Sequence, residues 1–372
     1  MDFGFTEEQE MLRNMAAKFF EKECPYDKVR ELEESDLGYS PEMWAKMAEL
    51  GWLGVLFPEE YGGYGGQFTD IALIMEEMGK AAFPSPFFST VIQCGLTILE
   101  GGSEEQKNDL LGRIAEGSLI MALAQFEEEG SYLPAGIRLN AGLHGDHYVL
   151  NGTKMFVMDA NVADKLIVVA GAGDAGITLF LVDAKDPGIT ITKMPTIAMD
   201  NNCEVIFKEV KIPKDNILWE VGKGWEILER IAPKAAVAKS AEMVGGCRIC
   251  IDKSNAYAKE RVQYGKPIGG YQIIQHYMAN MLLAYDTTYN YLYKVVWMID
   301  QGMEVGLEAS AVKAALNEQY KFISERAIQI HGAIGTSREY DTGLFYRRAK
   351  ASEYIVGDSS YHYEKIAQGL NL

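Results

Sequence analysis

Two groups of residues in this sequence have the types and spacing that chemistry needs. Cys247 and Cys250 form a C-x-x-C pair. A zinc site would want a second such pair or histidines nearby, and neither is present. A redox pair belongs at a helix start, whereas this one lies inside a long helical pattern. The five cysteines, odd in number and widely spaced, argue against a disulfide framework. Cys247 and Cys250 are therefore expected to face a helical core as small apolar groups. Gly171, Gly173 and Gly176 spell G-x-G-x-x-G directly after a strand-like run. A dinucleotide fold needs a helix next, because its N-terminal N–H groups hold the pyrophosphate. Another β pattern, ITLFLVD, follows instead, so a hairpin loop is expected.

Charge narrows the partners. A formal charge of −18 repels a duplex or an anionic membrane on average, so nucleic acid is not expected. A local basic pocket still admits an anionic small ligand. No run of about 18 uninterrupted apolar residues occurs, so no membrane span is expected. Glu7, Glu8 and Glu10 interrupt the apolar residues of the start, unlike a signal peptide, and the expected location is cytoplasmic.

The elements that must position these residues fall into three segments. At 372 residues two or three domains are expected. Residues 1–117 carry helical periodicity. Thr6 with Gln9 and Ser103 with Gln106 predict capping boxes, Ser40-Pro41 opens a further helix, and Thr69 another. After Ser118 the apolar period shortens to two, and 118–218 reads as strands without intervening helices, a small antiparallel barrel or sandwich. Within it, 147–158 is expected to be two short strands around an Asn151-Gly152 turn. From 219 to 372 long helices return, at roughly 224–262, 270–301, 307–331 and 341–369, a pattern that predicts an antiparallel bundle and burial against another subunit.

That order, together with AKERVQYGKPI at 258–268 followed by Gln272, Gln275 and His276, QIHGAIG at 329–335, Arg347-Arg348-Ala349-Lys350, PEEYGGYGG and NGTKMFV, resembles the acyl-CoA dehydrogenase family over essentially the whole chain. The resemblance implies an α+β fold: an N-terminal helical domain, a central antiparallel β-barrel or sandwich, and a C-terminal four-helix bundle. It implies FAD held across a subunit interface in a homo- or heterotetramer, an acyl-CoA substrate, and an electron-transfer flavoprotein as acceptor. Arg261, Gln263 and Tyr264 of one subunit, with Gln329 and the backbone of His331, Gly332 and Ala333, would hold the FAD of a neighbour. Phe156, Val157 and Met158 would line the flavin ring. The loop AQFEEEGSY, 124–132, stands where the family has a Thr-Glu-Pro-rich loop and cannot be aligned to it residue by residue.

The family reaction removes the α-proton of an acyl-CoA thioester while the β-hydrogen leaves as hydride to the flavin. It needs a carboxylate base in a dry pocket and hydrogen-bond donors at the thioester oxygen. The resemblance puts Val356 at the usual glutamate position, where its N–H can serve as an oxyanion donor but its side chain cannot take a proton. The alternative base position falls at Ala235, and residues 80–99 contain no acid. Asp358, Glu242 and Asp159 are the remaining candidates, each with a plain reading as helix cap, packing residue or turn residue. Asp358 is also expected beside the cofactor. Residues 84–95, with Phe87, Phe88 and Val91, would floor the acyl pocket or simply pack the core. The stretch VGDSSYHYEKIA resembles the subgroup that contains the small subunit of pimeloyl-CoA dehydrogenases and steroid-side-chain dehydrogenases, which are commonly heteromeric. Two main readings follow, an active flavoenzyme with a displaced base and a base-less partner subunit. A related flavin oxidase is a third.

Overall fold

The computed structural model describes residues 4–372. Helix α1 (Glu7–Glu23) opens on the expected box, in which the Thr6 hydroxyl accepts from the Gln9 N–H and the Gln9 side chain accepts from the Thr6 N–H. Helices α2 (Tyr26–Glu34) and α3 (Pro41–Glu49) follow, α3 capped by Ser40. Helix α4 (Phe68–Ala81) is capped by Gln67 and Asp70. Thr69 is not its cap: its hydroxyl donates to Asp300. A π-helical stretch, Phe88–Gly95, runs into α5 (Leu96–Gly101), and α6 (Glu104–Ala115) opens on the Ser103–Gln106 box.

The strands are β1 (Met121–Ala124), β2 (Asn140–His144), β3 (His147–Met158), β4 (Lys165–Gly171), β5 (Ile177–Asp183), β6 (Ile189–Lys193), β7 (Asn202–Pro213) and β8 (Ile217–Leu218). Then come α7 (Gly224–Glu260), the short pair β9 (Val262–Gln263) and β10 (Lys266–Pro267), α8 (Gln272–Asp300), α9 (Gly306–His331), α10 (Asp341–Tyr354) and α11 (Ser359–Gly369). The chain forms two compact units. One comprises residues up to Arg30, Gln67–Phe83 and Ala236–Leu372; the other comprises Glu31–Gly66 and Pro84–Ala235.

In the second unit the strands form one sheet, in the order β6-β7-β3-β2-β4-β5-β8. Its core includes Leu150, Val157, Leu166, Val168, Phe180, Val205 and Phe207, as the alternation of apolar residues requires. Between the named strands the pairing is antiparallel except at two places: β1 pairs parallel with β4, and Asn140 pairs parallel with Gly171. Strand β1 arrives from a helix rather than a hairpin, so no tight turn fixes its direction. The expected turn at Asn151-Gly152 is instead a bulge inside the continuous strand β3, where the register against β7 shifts between Leu150 and Gly152. The Asn151 side chain bonds Glu209 across it. The real two-residue turn is Gly145-Asp146, because His144 pairs with His147. Gly171 pairs with Ile177 across the G-x-G-x-x-G loop, which is a hairpin connection.

In the first unit α9 packs against α8, α10 and α11. Helix α7 crosses α4 closely: a Cβ on Gly79 would lie 1.9 Å from the Glu242 carbonyl oxygen, and one on Gly245 2.0 Å from that of Glu76. Cys247 and Cys250 are fully buried on α7, and burial pushes both thiols up. The expected last helix, 341–369, is two helices. The chain breaks at residues 355–358, where Val356 takes φ 61° and Gly357 φ 109°, and Asp358 caps α11. Among the described residues no helix is long and apolar enough to cross a membrane.

Candidate active site

The second unit presents the residues expected along the flavin at the end of β3. The pairing with β7 slips between Lys154 and Val157, and Phe156 takes φ 55°, so its ring stands 45% exposed while Val157 is buried. Met158 is half-buried. Asp159 then takes φ 59°. Its N–H donates to the Asn201 carbonyl, and its carboxylate accepts from the Ser89 hydroxyl at 2.6 Å. Two non-glycine residues in the left-handed region within four positions mark a strained strand end, a frequent companion of functional sites. Phe87, Phe88 and Val91 are buried in the π-helical stretch and its approach.

A side chain not singled out by the sequence supports this strand end. Lys154 is wholly buried, and its ammonium donates to the Gln125 carbonyl at 2.9 Å and to Glu127 at 2.7 Å. Glu127 also accepts from the N–H groups of Arg138 and Leu139. Burial pushes Glu127 up, but Lys154 and the N–H donors outweigh it and hold the carboxyl below its usual range. The loop 125–139 is thus pinned to β3, and the Met155 N–H bonds the Phe126 carbonyl beside it. The only sequence signal was a lysine at an inward strand position of NGTKMFV.

The first unit presents the cationic and glycine group. The strands β9 and β10 join through Tyr264-Gly265, both at positive φ, a type I′ arrangement. The Tyr271 hydroxyl donates to the Gln263 carbonyl at 2.8 Å, and Lys266 lies over the Tyr271 ring. This small ribbon is rigid yet uncovered, with Tyr264 95% exposed. The Arg261 guanidinium is exposed and makes no hydrogen bond or ion pair among the described residues. At the end of α9 the His331 ring stacks on Tyr257 at 4.4 Å, which brings the last turn of α7, just before Arg261, beside Gly332. His331 Nδ1 bonds the Ala327 carbonyl, and burial holds the ring below its ordinary value, so it stays neutral. Gly332 has φ 69°, and a Cβ there would meet nothing within 4 Å. Its glycine is demanded by the backbone conformation, and the space over it is open to a ligand.

The break between α10 and α11, where Val356 lies, is tightly constrained. Val356 is β-branched and left-handed, a conformation that costs such residues about 1–2 kcal/mol. The His362 ring bonds the Val356 carbonyl through Nε2 at 3.0 Å. The Lys313 ammonium, wholly buried on α9, reaches the carbonyls of Ser352 (3.0 Å), Glu353 (3.3 Å) and Gly357 (3.2 Å) and the Asn317 side chain (2.5 Å). The Val356 N–H donates no hydrogen bond among the described residues. It is an unspent donor on a fixed turn.

The acids are each engaged through one oxygen. Glu242 Oε2 meets Lys239 at 2.7 Å, and Asp358 Oδ1 accepts from the Tyr361 N–H at 2.8 Å. Ala235, expected at the alternative base position, is buried. Within the first unit the free guanidinium of Arg261 and the open backbone at Gly332 suit an anionic group such as the pyrophosphate of FAD; within the second unit the exposed Phe156 ring suits a flat apolar partner. Among the described residues no group of three or more His, Cys, Asp or Glu is placed to hold a metal.

Comparison with known proteins gives the same family three times along the chain. The acyl-CoA dehydrogenase N-terminal domain matches residues 6–118, the middle domain 122–210 and the C-terminal domain 222–371. A probable acyl-CoA dehydrogenase, YngJ of Bacillus subtilis, is 33% identical over 100% of both chains. The caffeyl-CoA reductase-Etf complex subunit CarC of Acetobacterium woodii is 30% identical over 95% of this chain and 96% of its own. Among solved structures, butyryl-CoA dehydrogenase from Megasphaera elsdenii superposes with a TM-score of 0.93 at 28% identity, covering 100% of each chain.

Proposed function

The chain belongs to the acyl-CoA dehydrogenase family, and on that premise we propose that it interconverts an acyl-CoA thioester and its α,β-unsaturated counterpart with FAD, using a proton acceptor displaced from position 356. The observation that carries this reading is the turn at Val356, strained into the left-handed region with its N–H unspent.

An α-proton is weakly acidic, and its removal puts charge on the thioester oxygen. A backbone N–H aimed there is a donor of the kind whose loss costs about a hundredfold to a thousandfold in rate. Val356 supplies that N–H without supplying a base. Bound FAD supplies the two-electron acceptor. Arg261 would pair with its pyrophosphate, and Gln263, Tyr264, Gln329 and the backbone of His331, Gly332 and Ala333 would help to hold it. Phe156, Val157 and Met158 wall the ring. Arg261 serves the FAD of a neighbouring subunit, so the protein works as a homo- or heterotetramer, with electron-transfer flavoprotein as its electron acceptor. The working domain division is 1–117, 118–218 and 219–372.

The proton acceptor is Glu242 or Asp358, each of which keeps one carboxylate oxygen unspent. Glu242→Gln and Asp358→Asn separate them: the base variant loses about a hundredfold or more in flavin reduction, and the other does not. Equal activity of both variants and the wild type excludes both acids.

A second reading is supported by the apolar residues at both base positions, Val356 and the buried Ala235. It makes the chain the base-less partner in a heteromeric dehydrogenase, of the kind that VGDSSYHYEKIA resembles. In that case activity appears only after a glutamate-bearing second subunit is added.

A further inference from the structure

The residues that face the Val356 turn from behind come from α9 and α11, and no step above uses them. We propose that Lys313 and His362 are positioning residues that hold Val356 in its left-handed conformation and thereby aim its N–H at the substrate thioester oxygen. This inference rests on the reading of Val356 as that donor.

The geometry is a clasp on consecutive carbonyls. His362 Nε2 donates to the Val356 oxygen at 3.0 Å. Lys313 Nζ donates to the Gly357 oxygen at 3.2 Å, and Asn317 Nδ2 reaches the same oxygen at 3.4 Å. The same ammonium holds the Ser352 and Glu353 carbonyls, left without partners where α10 ends. One cation therefore grips the chain on both sides of Val356. Rotating Val356 to the extended conformation it would otherwise prefer turns the carbonyls of residues 356 and 357 away from these donors. Strain of this kind persists only where the surroundings over-determine it.

The charges facing the clasp set its response to pH. Lys313 is faced by Lys239 of α7, Glu353 of α10, and Asp358 and His362 at the start of and within α11. Burial, helped by Lys239 and opposed by Glu353 and Asp358, pulls Lys313 down to about 7. Burial and then Lys313 pull His362 down to about 4. A neutral His362 whose Nε2–H is donated leaves Nδ1 as an acceptor, and Nδ1 has no partner. An ammonium has three protons for four oxygen acceptors, whereas a neutral amine has two. The grip weakens as pH rises through about 7.

A helix-capping role alone would make Lys313 matter for stability and not for the direction of one N–H. The test therefore reads the bound substrate. The FAD-loaded protein is mixed anaerobically with butyryl-CoA isotope-labelled at the thioester carbonyl, and the carbonyl stretch is recorded by difference infrared spectroscopy. The wild type should show a shift to lower frequency, and Lys313→Met and His362→Gln should lose most of it. Flavin reduction should slow by about tenfold to a hundredfold, less than the loss of a whole donor. In a Val356→Gly background, where the left-handed turn no longer needs holding, the same substitutions should cost within about threefold. A full shift retained in both single variants overturns the proposal, as does an equal loss in both backgrounds. Where a variant does not fold, Lys313→Gln and His362→Asn are read in the same way, and a full shift retained in both overturns the clasp. A wild type with bound ligand and no shift fails the donor reading itself, and the clasp with it. A shift that survives Lys313→Met fails the clasp alone.

Discussion

Acidification should loosen the α10–α11 break before carboxylate titration unfolds the rest, and His362 sets the size of the effect. Its ring is 3% exposed, and burial followed by the Lys313 charge lowers it from 6.5 to about 4. Above the unfolded value both states are neutral and the contribution to stability is complete. Between 6.5 and about 4 the unfolded chain binds a proton that the native ring refuses, so stability is lost as pH falls through that window. For a shift of that size the loss reaches about 2 kcal/mol by about pH 5, and about 3 kcal/mol at its limit. The assay is urea unfolding of wild type and His362→Gln between about pH 7 and pH 5, followed by hydrogen exchange of peptides covering 352–364. The variant should be less stable near neutrality, because the Val356 carbonyl loses a good donor, but its stability should fall less steeply with acid. Lys313→Met should flatten the same slope by removing a buried cation that faces the ring. Identical slopes in wild type and His362→Gln would refute the reasoning, since the buried ring would then carry no linked proton.

Gly357→Ala places a Cβ 2.5 Å from Tyr361 Cδ1 and 2.7 Å from His362 Nε2 at φ 109°, so it should cost about 2–4 kcal/mol in thermal or urea unfolding; a neutral variant would contradict the packing of this turn. Lys154→Met leaves Glu127 partly buried without its cation, and about 2–3 kcal/mol of stability should go with ordered loop 125–139, read by unfolding and by proteolysis within the loop. Val356→Glu puts an acid on the turn beside the donor and should raise flavin reduction by butyryl-CoA about a hundredfold or more; no gain in a folded, flavin-loaded variant would favour the partner-subunit reading.

What the sequence made legible was local. Thr6 with Gln9 and Ser103 with Gln106 announce helix starts because the capping contacts lie within one turn of chain. The G-x-G-x-x-G loop could be set aside because a β pattern follows it. Asn151-Gly152 misled because the partner of that bulge is β7, some 55 residues on, and not the neighbouring stretch. The parallel pairing of β1 is likewise a property of the fold and not of the four residues MALA. The split of the last helix had a signal in Gly357-Asp358-Ser359, a glycine followed by a helix cap, which the continuous apolar periodicity outweighed. Lys313 had none. In AVKAALNEQ it resembles any helical surface cation, and only the folding of α10 and α11 back over α9 buries it.

On the proposed function this chain turns over an acyl-CoA thioester with its own flavin, although Val356 stands at the expected base position. An anaerobic spectral titration of the purified, FAD-loaded chain with a panel of acyl-CoA esters tests it most directly. At least one ester should bleach the flavin absorbance without any second protein. A chain that binds FAD and acyl-CoA yet bleaches only after a glutamate-bearing partner is added would contradict it.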